Sequence, residues 1–221
     1  MFDGGGQCEK MKQKGILMVL SGFSGAGKGT LIKALLKKYN EYALSISMTT
    51  RAPREGERDG VEYFFTTREK FEETIVDNGL IEYALYCGNY YGTPRAYVEE
   101  QMAAGKNVIL EIEIQGALKI KEKFPDSLLV FVTPPSAEEL KRRLEGRGTE
   151  SAEVIAQRLA RASEESEGIE AYDYIVVNDN LDECVEELHR LVDASRRAPV
   201  RCREMIKEIR EELKGFAKGA K

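Results

Sequence analysis

The stretch Val19–Thr30, VLSGFSGAGKGT, constrains this chain more than any other. Apolar residues lead straight into Gly22, Gly25, Gly27 and Gly29, with Lys28 between the last two. An apolar run needs burial, clustered glycines supply backbone freedom, and a lone lysine calls for an anion. A buried strand, a phosphate-cradling loop and a helix start satisfy all three. Gly22-x-x-x-x-Gly27-Lys28 has the Walker A spacing. In that arrangement backbone N–H groups turn inward around phosphate oxygens, and the following helix adds its positive dipole end. Phe23, Ser24 and Ala26 complete the loop with the glycines, and Lys28 supplies a mobile charge for the outer phosphates of a triphosphate. An ordinary glycine-rich turn is the alternative. The strand pattern GILMVLS before the loop and the helix pattern TLIKALLKKYN after it argue against that. Where a Ser or Thr usually follows the lysine, this chain has Gly29 and then Thr30. That leaves Thr30, or a water, for the direct metal position.

The rest of the chain continues the alternation. ALSIS and VEYFF read as short strands around the polar loop TTRAPREGERDG, and REKFEETIVDNG as a helix stopping at glycine. LIEYALYCGNYYG is strand-like and aromatic, and Thr93-Pro94 opens the helix RAYVEEQMAAG with proline at its first position. NVILEIE reads as a buried strand, and SLLVFV and YDYIVV as strands; GALKIKEKF, AEELKRRLEGRG, ESAEVIAQRLARASEES and LDECVEELHRLVDAS read as helices. Ser136 and Glu139 have the spacing of a capping box. The expected fold is α/β: a P-loop NTPase-type core whose parallel sheet is flanked by helices. At 221 residues this is one domain, or one with a small insert.

Composition narrows the partners. The formal net charge of −5 argues against general nucleic-acid binding. Cys8, Cys87, Cys184 and Cys202 include no Cys-x-x-Cys pair, and His189 alone cannot complete a zinc cluster, so the usage fits reduced thiols in a cytoplasmic protein. No apolar run approaches the ~20 residues that span a membrane. The opening MFDGGGQCEKMKQKG lacks a signal-peptide core and reads as a flexible leader over residues 1–14, with Met11 an alternative start. Arg196–Lys221 carries nine Lys/Arg against four Glu, with Met205, Ile209, Leu213 and Phe216 at helical spacing. The expectation is a basic amphipathic helix packed on the domain, with a nucleic-acid or partner contact as the alternative. The oligomeric state is left open by this reading.

A second ligand site is written downstream. SMTTRAPREGERDGVEYFF sets Arg51 and Arg54 in one polar loop, followed by Tyr63. Two guanidinium forks and a phenol can grip a second phosphate, although the same segment alone also reads as a solvated charged loop. IEYALYCGNYYGT gathers Glu82, Tyr91 and Thr93. A guanine edge offers N1–H and the 2-amino group beside the O6 acceptor. One carboxylate can accept from both donors, while a hydroxyl from Ser47 or Thr93 donates to O6. Adenine would present an N1 acceptor to that carboxylate, a costly buried mismatch.

Taken together, SGFSGAGKGT, TTRAPREGE, EYFF, GNYYGT, LEIEIQGA, RGTE and VVND resemble the guanylate kinase family over roughly Gly15–Ala194. The resemblance implies a GMP-binding subdomain near residues 47–96, a lid near 139–170, and ATP, GMP and magnesium as ligands. By it, Ser47, Arg51, Arg54, Tyr63, Glu82, Tyr91 and Thr93 fall on GMP-binding positions. Arg143, Arg147 and Arg158 fall on arginines that close over the phosphates, and Asn178 lies near the adenine side. Many relatives read Asp-Ile-Asp where this chain has Glu111-Ile112-Glu113. The longer side chains reach toward the metal shell and, for Glu113, the guanine amino group. A kinase of another nucleoside monophosphate is one rival, opposed by Glu82 with Ser47. A non-catalytic interaction module is another, opposed by the retained Gly27, Lys28 and the three lid arginines. The acceptor would already be an anionic phosphate oxygen, so catalysis would rest on positioning and charge neutralisation rather than a strong base.

Overall fold

A computed structural model describes residues 14–86, 88–146 and 151–219. Its centre is a five-stranded parallel sheet built from β1 (Leu17–Gly22), β2 (Tyr42–Leu44), β7 (Asn107–Glu111), β8 (Leu128–Thr133) and β9 (Tyr174–Val177). The spatial order is β2-β7-β1-β8-β9, so β1 lies in the middle. Its side chains alternate between two apolar layers. Met18 and Leu20 pack with Leu31 and Leu35 of α1 (Lys28–Lys38) and with Val185 and Leu188 of α7 (Leu181–Ser195). Leu17 and Val19 face the opposite layer, with Val98 of α3 (Arg95–Ala103) and with Ala117 and Ile120 of α4 (Ile114–Lys123). Burial on both faces is why the strand reads as an unbroken apolar run.

A second sheet branches from the carboxyl side. It contains β3 (Met48–Thr49), β4 (Phe64–Phe65), β5 (Leu80–Tyr86) and β6 (Asn89–Pro94) in the order β4-β3-β6-β5, with α2 (Arg68–Val76) packed through the fully buried Phe71. Three expectations shift here. The aromatic stretch expected as one strand is a hairpin, β5 antiparallel to β6, turning at Gly88 with φ +78°. The strand expected at ALSIS breaks after Leu44, leaving Ser45–Ser47 outside any strand. Pro94 closes β6 and caps α3 instead of occupying its first turn.

After β8 come α5 (Ala137–Glu145) and α6 (Ala152–Ser166), which pack on each other through Leu140, Leu144 and Ala162. Ser136 accepts from the Glu139 backbone N–H at 3.1 Å, half of the capping box. The Glu139 carboxylate instead takes hydrogen bonds from Arg142 and Arg143, which hold its pKa down to about 2. The chain ends in α8 (Arg203–Gly219), whose apolar face does not pack on the domain as expected: Met205, Ile209, Leu213 and Phe216 are all exposed. Among the described residues, no helix is long and apolar enough to cross a membrane.

Candidate active site

The glycine loop leaves β1 at its carboxyl end, where parallel sheets open toward ligands. Helix α1 begins at Lys28, two residues earlier than the Thr30 start expected from sequence, because Gly27 adopts a left-handed φ of +89° and caps it. Only glycine accepts this bend at low cost. A Cβ there would also lie 2.5 Å from the Asn178 amide nitrogen. Gly22 is fixed differently, since a Cβ on it would meet the Val132 carbonyl oxygen at 2.1 Å. The Lys28 ammonium arches back over the loop, donating to the carbonyls of Gly22 (2.7 Å) and Phe23 (3.1 Å). Thr30 and Gly29 are exposed on the first turn of α1.

Asn178 supports this loop from below. It is buried, and its side-chain amide donates to the Ala26 carbonyl at 2.8 Å. Its own backbone carbonyl accepts from Arg143 at 2.9 Å. Arg143 is further tied to Glu139 at 2.7 Å, so α5 is fastened to the floor of the loop. From α6, Arg158 donates to the Ser24 hydroxyl at 2.7 Å. Two of the three expected closing arginines therefore reach the glycine loop. Arg147 lies outside the described residues.

The second pocket is built by the branching sheet and the end of β7. Ser47, Tyr63, Thr93 and Glu111 line one cavity of about 170 Å³. Thr93 is 1% exposed, and its hydroxyl donates to Glu82 at 2.7 Å. Burial pushes the Glu82 pKa up, and the Thr93 hydrogen bond opposes the rise. Because that hydroxyl has one proton, Thr93 is committed to Glu82. Of the two hydroxyls considered for O6, Ser47 is the one this arrangement leaves.

Arg51 approaches the same region from the polar loop. Its guanidinium lies 5.3 Å from the Tyr63 ring centroid and 5.9 Å from that of Phe65. Tyr63 packs edge-on against Tyr91 at 6.0 Å. Arg51 is held by Glu57 at 2.9 Å, and the other Glu57 oxygen accepts from the Arg54 backbone N–H at 2.7 Å. The Arg54 side chain is exposed. Glu57 was not among the sequence candidates, although its place six residues after Arg51 in a charged loop was a usable signal. It braces the pair of arginines on one carboxylate. Ser45 was also missed: it lines the cavity, and its buried hydroxyl has no partner in the structure.

Glu113 stands apart from this pocket. It pairs with Arg161 of α6 at 2.6 Å and lines a different cavity, of about 520 Å³, between α4 and α6. Glu111, at the end of β7, is in register with Leu20 of β1 and is among the residues lining the 170 Å³ cavity.

A glycine loop at the head of a parallel sheet, beside a separately built pocket lined by Glu111 and Tyr63 with Arg51 against the Tyr63 ring, defines a class: the P-loop kinases. Comparison with known proteins narrows it. The family described as guanylate kinase matches residues 14–195. The guanylate kinase of Oceanobacillus iheyensis is 49% identical over 202 residues, covering 91% of this chain and 98% of that protein. That of Lactococcus lactis is 52% identical over 184 residues, 83% of this chain and 90% of the relative. A solved structure of guanylate kinase from Anaplasma phagocytophilum superposes with a TM-score of 0.67 at 33% identity, covering 88% of this chain and 95% of that one. The chain belongs to the guanylate kinase family.

Proposed function

We propose that the chain transfers the terminal phosphoryl group of ATP to GMP, giving ADP and GDP. Beyond family membership, one observation carries the choice of base: the buried Glu82 carboxylate, pinned by Thr93 next to the cavity that Ser47 and Tyr63 line. A carboxylate with spare lone pairs accepts from the guanine N1–H and 2-amino groups, while the Ser47 hydroxyl donates to O6. Adenine lacks an N1–H, so it leaves the carboxylate opposite an acceptor.

Arg51, Arg54, Tyr63 and Tyr91 hold the GMP phosphate, with Glu57 fixing the angle of Arg51. The loop from Gly22 to Gly29 and Lys28 hold the ATP phosphates. Helices α5 and α6 act as the lid, and Arg143, Arg147 and Arg158 spread positive charge over the transferring group. The acceptor oxygen is already anionic, so the residues bring two polyanions together and exclude water.

The donors at the loop suit magnesium, a hard cation. Thr30 and Glu111 offer oxygen, and among the described residues no cluster of three or more His, Cys, Asp or Glu could hold a metal alone. The protein then supplies one or two oxygen ligands and the nucleotide phosphates the rest. Neutralising the β- and γ-phosphate oxygens is the chemistry the ion supplies when bound. Dependence on ATP and guanine nucleotides supports a cytoplasmic setting.

An ADP-release assay with GMP, AMP, CMP and UMP tests the reading. GMP should be preferred over AMP by at least roughly a hundredfold in kcat/KM. ADP release that does not depend on GMP, or an equal response to AMP, would overturn it.

A further inference from the structure

Helix α8 lies beyond residues 14–195, the part matched by the family. Among the described residues, its ion pairs and side-chain hydrogen bonds to the domain lie near its start: Arg201, just before the helix, donates to the Ser195 and Asp126 carbonyls, and Arg203 faces the Asp126 carboxylate at 3.5 Å. From Lys207 to Ala217 every residue is exposed. Yet the helix has a sharply sided sequence. At about 100° per residue, Met205, Ile206, Ile209, Leu213 and Phe216 fall within one arc of about 100°. The charges divide by sign on either side of this stripe. Glu208 and Glu212 border one edge, with Glu204 behind them. Arg210 borders the other, with Arg203 and Lys214 behind it. Lys214 meets Glu211 at 2.7 Å across the far side, away from the stripe.

We propose that this stripe is the docking surface for a second copy of the chain, with the two α8 helices side by side and parallel. The charge pattern sets both the partner and the direction. When two identical helices are related by a twofold axis parallel to them, the acidic edge of each meets the basic edge of the other on both sides of the apolar seam. In an antiparallel pair, acidic edge would face acidic edge and basic would face basic, a repulsive match. A lipid surface fits less well. Membrane-lying helices carry Lys and Arg across the polar face, whereas half of this polar face is glutamate. The seam from Met205 to Phe216 is about three turns long, and such a pair buries less than the ~1,200–2,000 Å² of most stable complexes. The dimer is therefore expected to be concentration-dependent and to place both kinase domains at the same end of the helix pair.

The test is the mass of the full chain in solution by light scattering or sedimentation, from micromolar to several hundred micromolar. Wild type should rise from one chain mass to two. Leu213→Glu should stay at one chain mass throughout. Two charge variants, Glu208→Lys/Glu212→Lys and Arg210→Glu/Lys214→Glu, should each be monomeric alone and form a dimer when mixed. Circular dichroism and GDP production check that every variant is folded. A wild-type mass of one chain at all concentrations would overturn the proposal. So would a Leu213→Glu dimer, charge variants that pair with themselves as well as wild type does, or binding to anionic phosphatidylglycerol vesicles by a chain that stays monomeric in solution.

Discussion

Thr93→Val removes one proton and almost no volume, and it separates two roles that the sequence left open for this residue. The Thr93 hydroxyl gives its hydrogen bond to Glu82 at 2.7 Å in a buried setting. Hydrogen bonds to charged groups contribute roughly 1.5–3 kcal/mol. At about 1.4 kcal/mol per tenfold, the loss corresponds to roughly 10- to 100-fold in kcat/KM for GMP at neutral pH. Two effects combine in the variant: the carboxylate loses its orientation, and its pKa, already raised by burial, rises further because the opposing hydrogen bond is gone. The acid limb of the GMP profile should therefore move to higher pH. The sign for stability follows from the same shift. Folding raises the Glu82 pKa, so the folded state loses stability as pH climbs from the ordinary carboxylate value through the raised one. Thr93 offsets part of that loss, and the variant should be more destabilised relative to wild type at pH 7 than at pH 4. Steady-state kinetics with GMP and AMP from pH 5 to 9, with thermal melts at both pH values, measure all of this. An unmoved acid limb with full GMP efficiency would show that Thr93 does not hold Glu82 in the working enzyme.

Other parts of the site make equally direct predictions. Lys28→Ala should lower kcat by roughly a hundredfold or more with circular dichroism unchanged, and near-normal GDP production would remove Lys28 from the phosphate site. Gly27→Ala forces a side chain into a φ of +89° and against Asn178, so it should cost about 1–3 kcal/mol in a denaturation series and suppress ATP binding; a neutral result would refute the account of the loop. Glu57→Gln should raise KM for GMP more than it lowers kcat, because it loosens Arg51 and the backbone at Arg54 without touching the triphosphate. An effect confined to the KM for ATP would contradict that placement.

What the sequence disclosed was what sits close together along it. The loop from Gly22 to Thr30 was legible because its glycines, its lysine and the flanking periodicities lie within one short stretch. The parallel core was legible because strands buried on both faces read as continuous apolar runs, as in β1 and β8. The β5–β6 hairpin was not, because apolar and aromatic residues flank its single turn signal, Gly88-Asn89, closely on both sides, and pairing partners such as Leu85 with Tyr90 are what reveal the reversal. Side-chain commitments were hidden for a related reason. Thr93 and Ser47 look alike as hydroxyls, and only tertiary placement gives one of them to Glu82. By resemblance Asn178 lies near the adenine side, and its burial under Ala26, with its amide bracing the loop, is a matter of tertiary placement. The face of α8 was visible in the spacing of its apolar residues, but what covers that face depends on where the helix leaves the domain.

The central claim is that Glu82 reads the guanine base, and its most direct test is kcat/KM for GMP and for AMP in wild type and in Glu82→Gln. The amide keeps the shape of the carboxylate but turns one acceptor oxygen into a donor that faces a guanine donor. An unmade buried hydrogen bond costs about 1–3 kcal/mol, with charged partners at the strong end. The GMP efficiency should fall roughly tenfold to over a hundredfold, while the AMP efficiency should change far less, because adenine never used the carboxylate. Equal proportional losses for the two nucleotides would contradict the account.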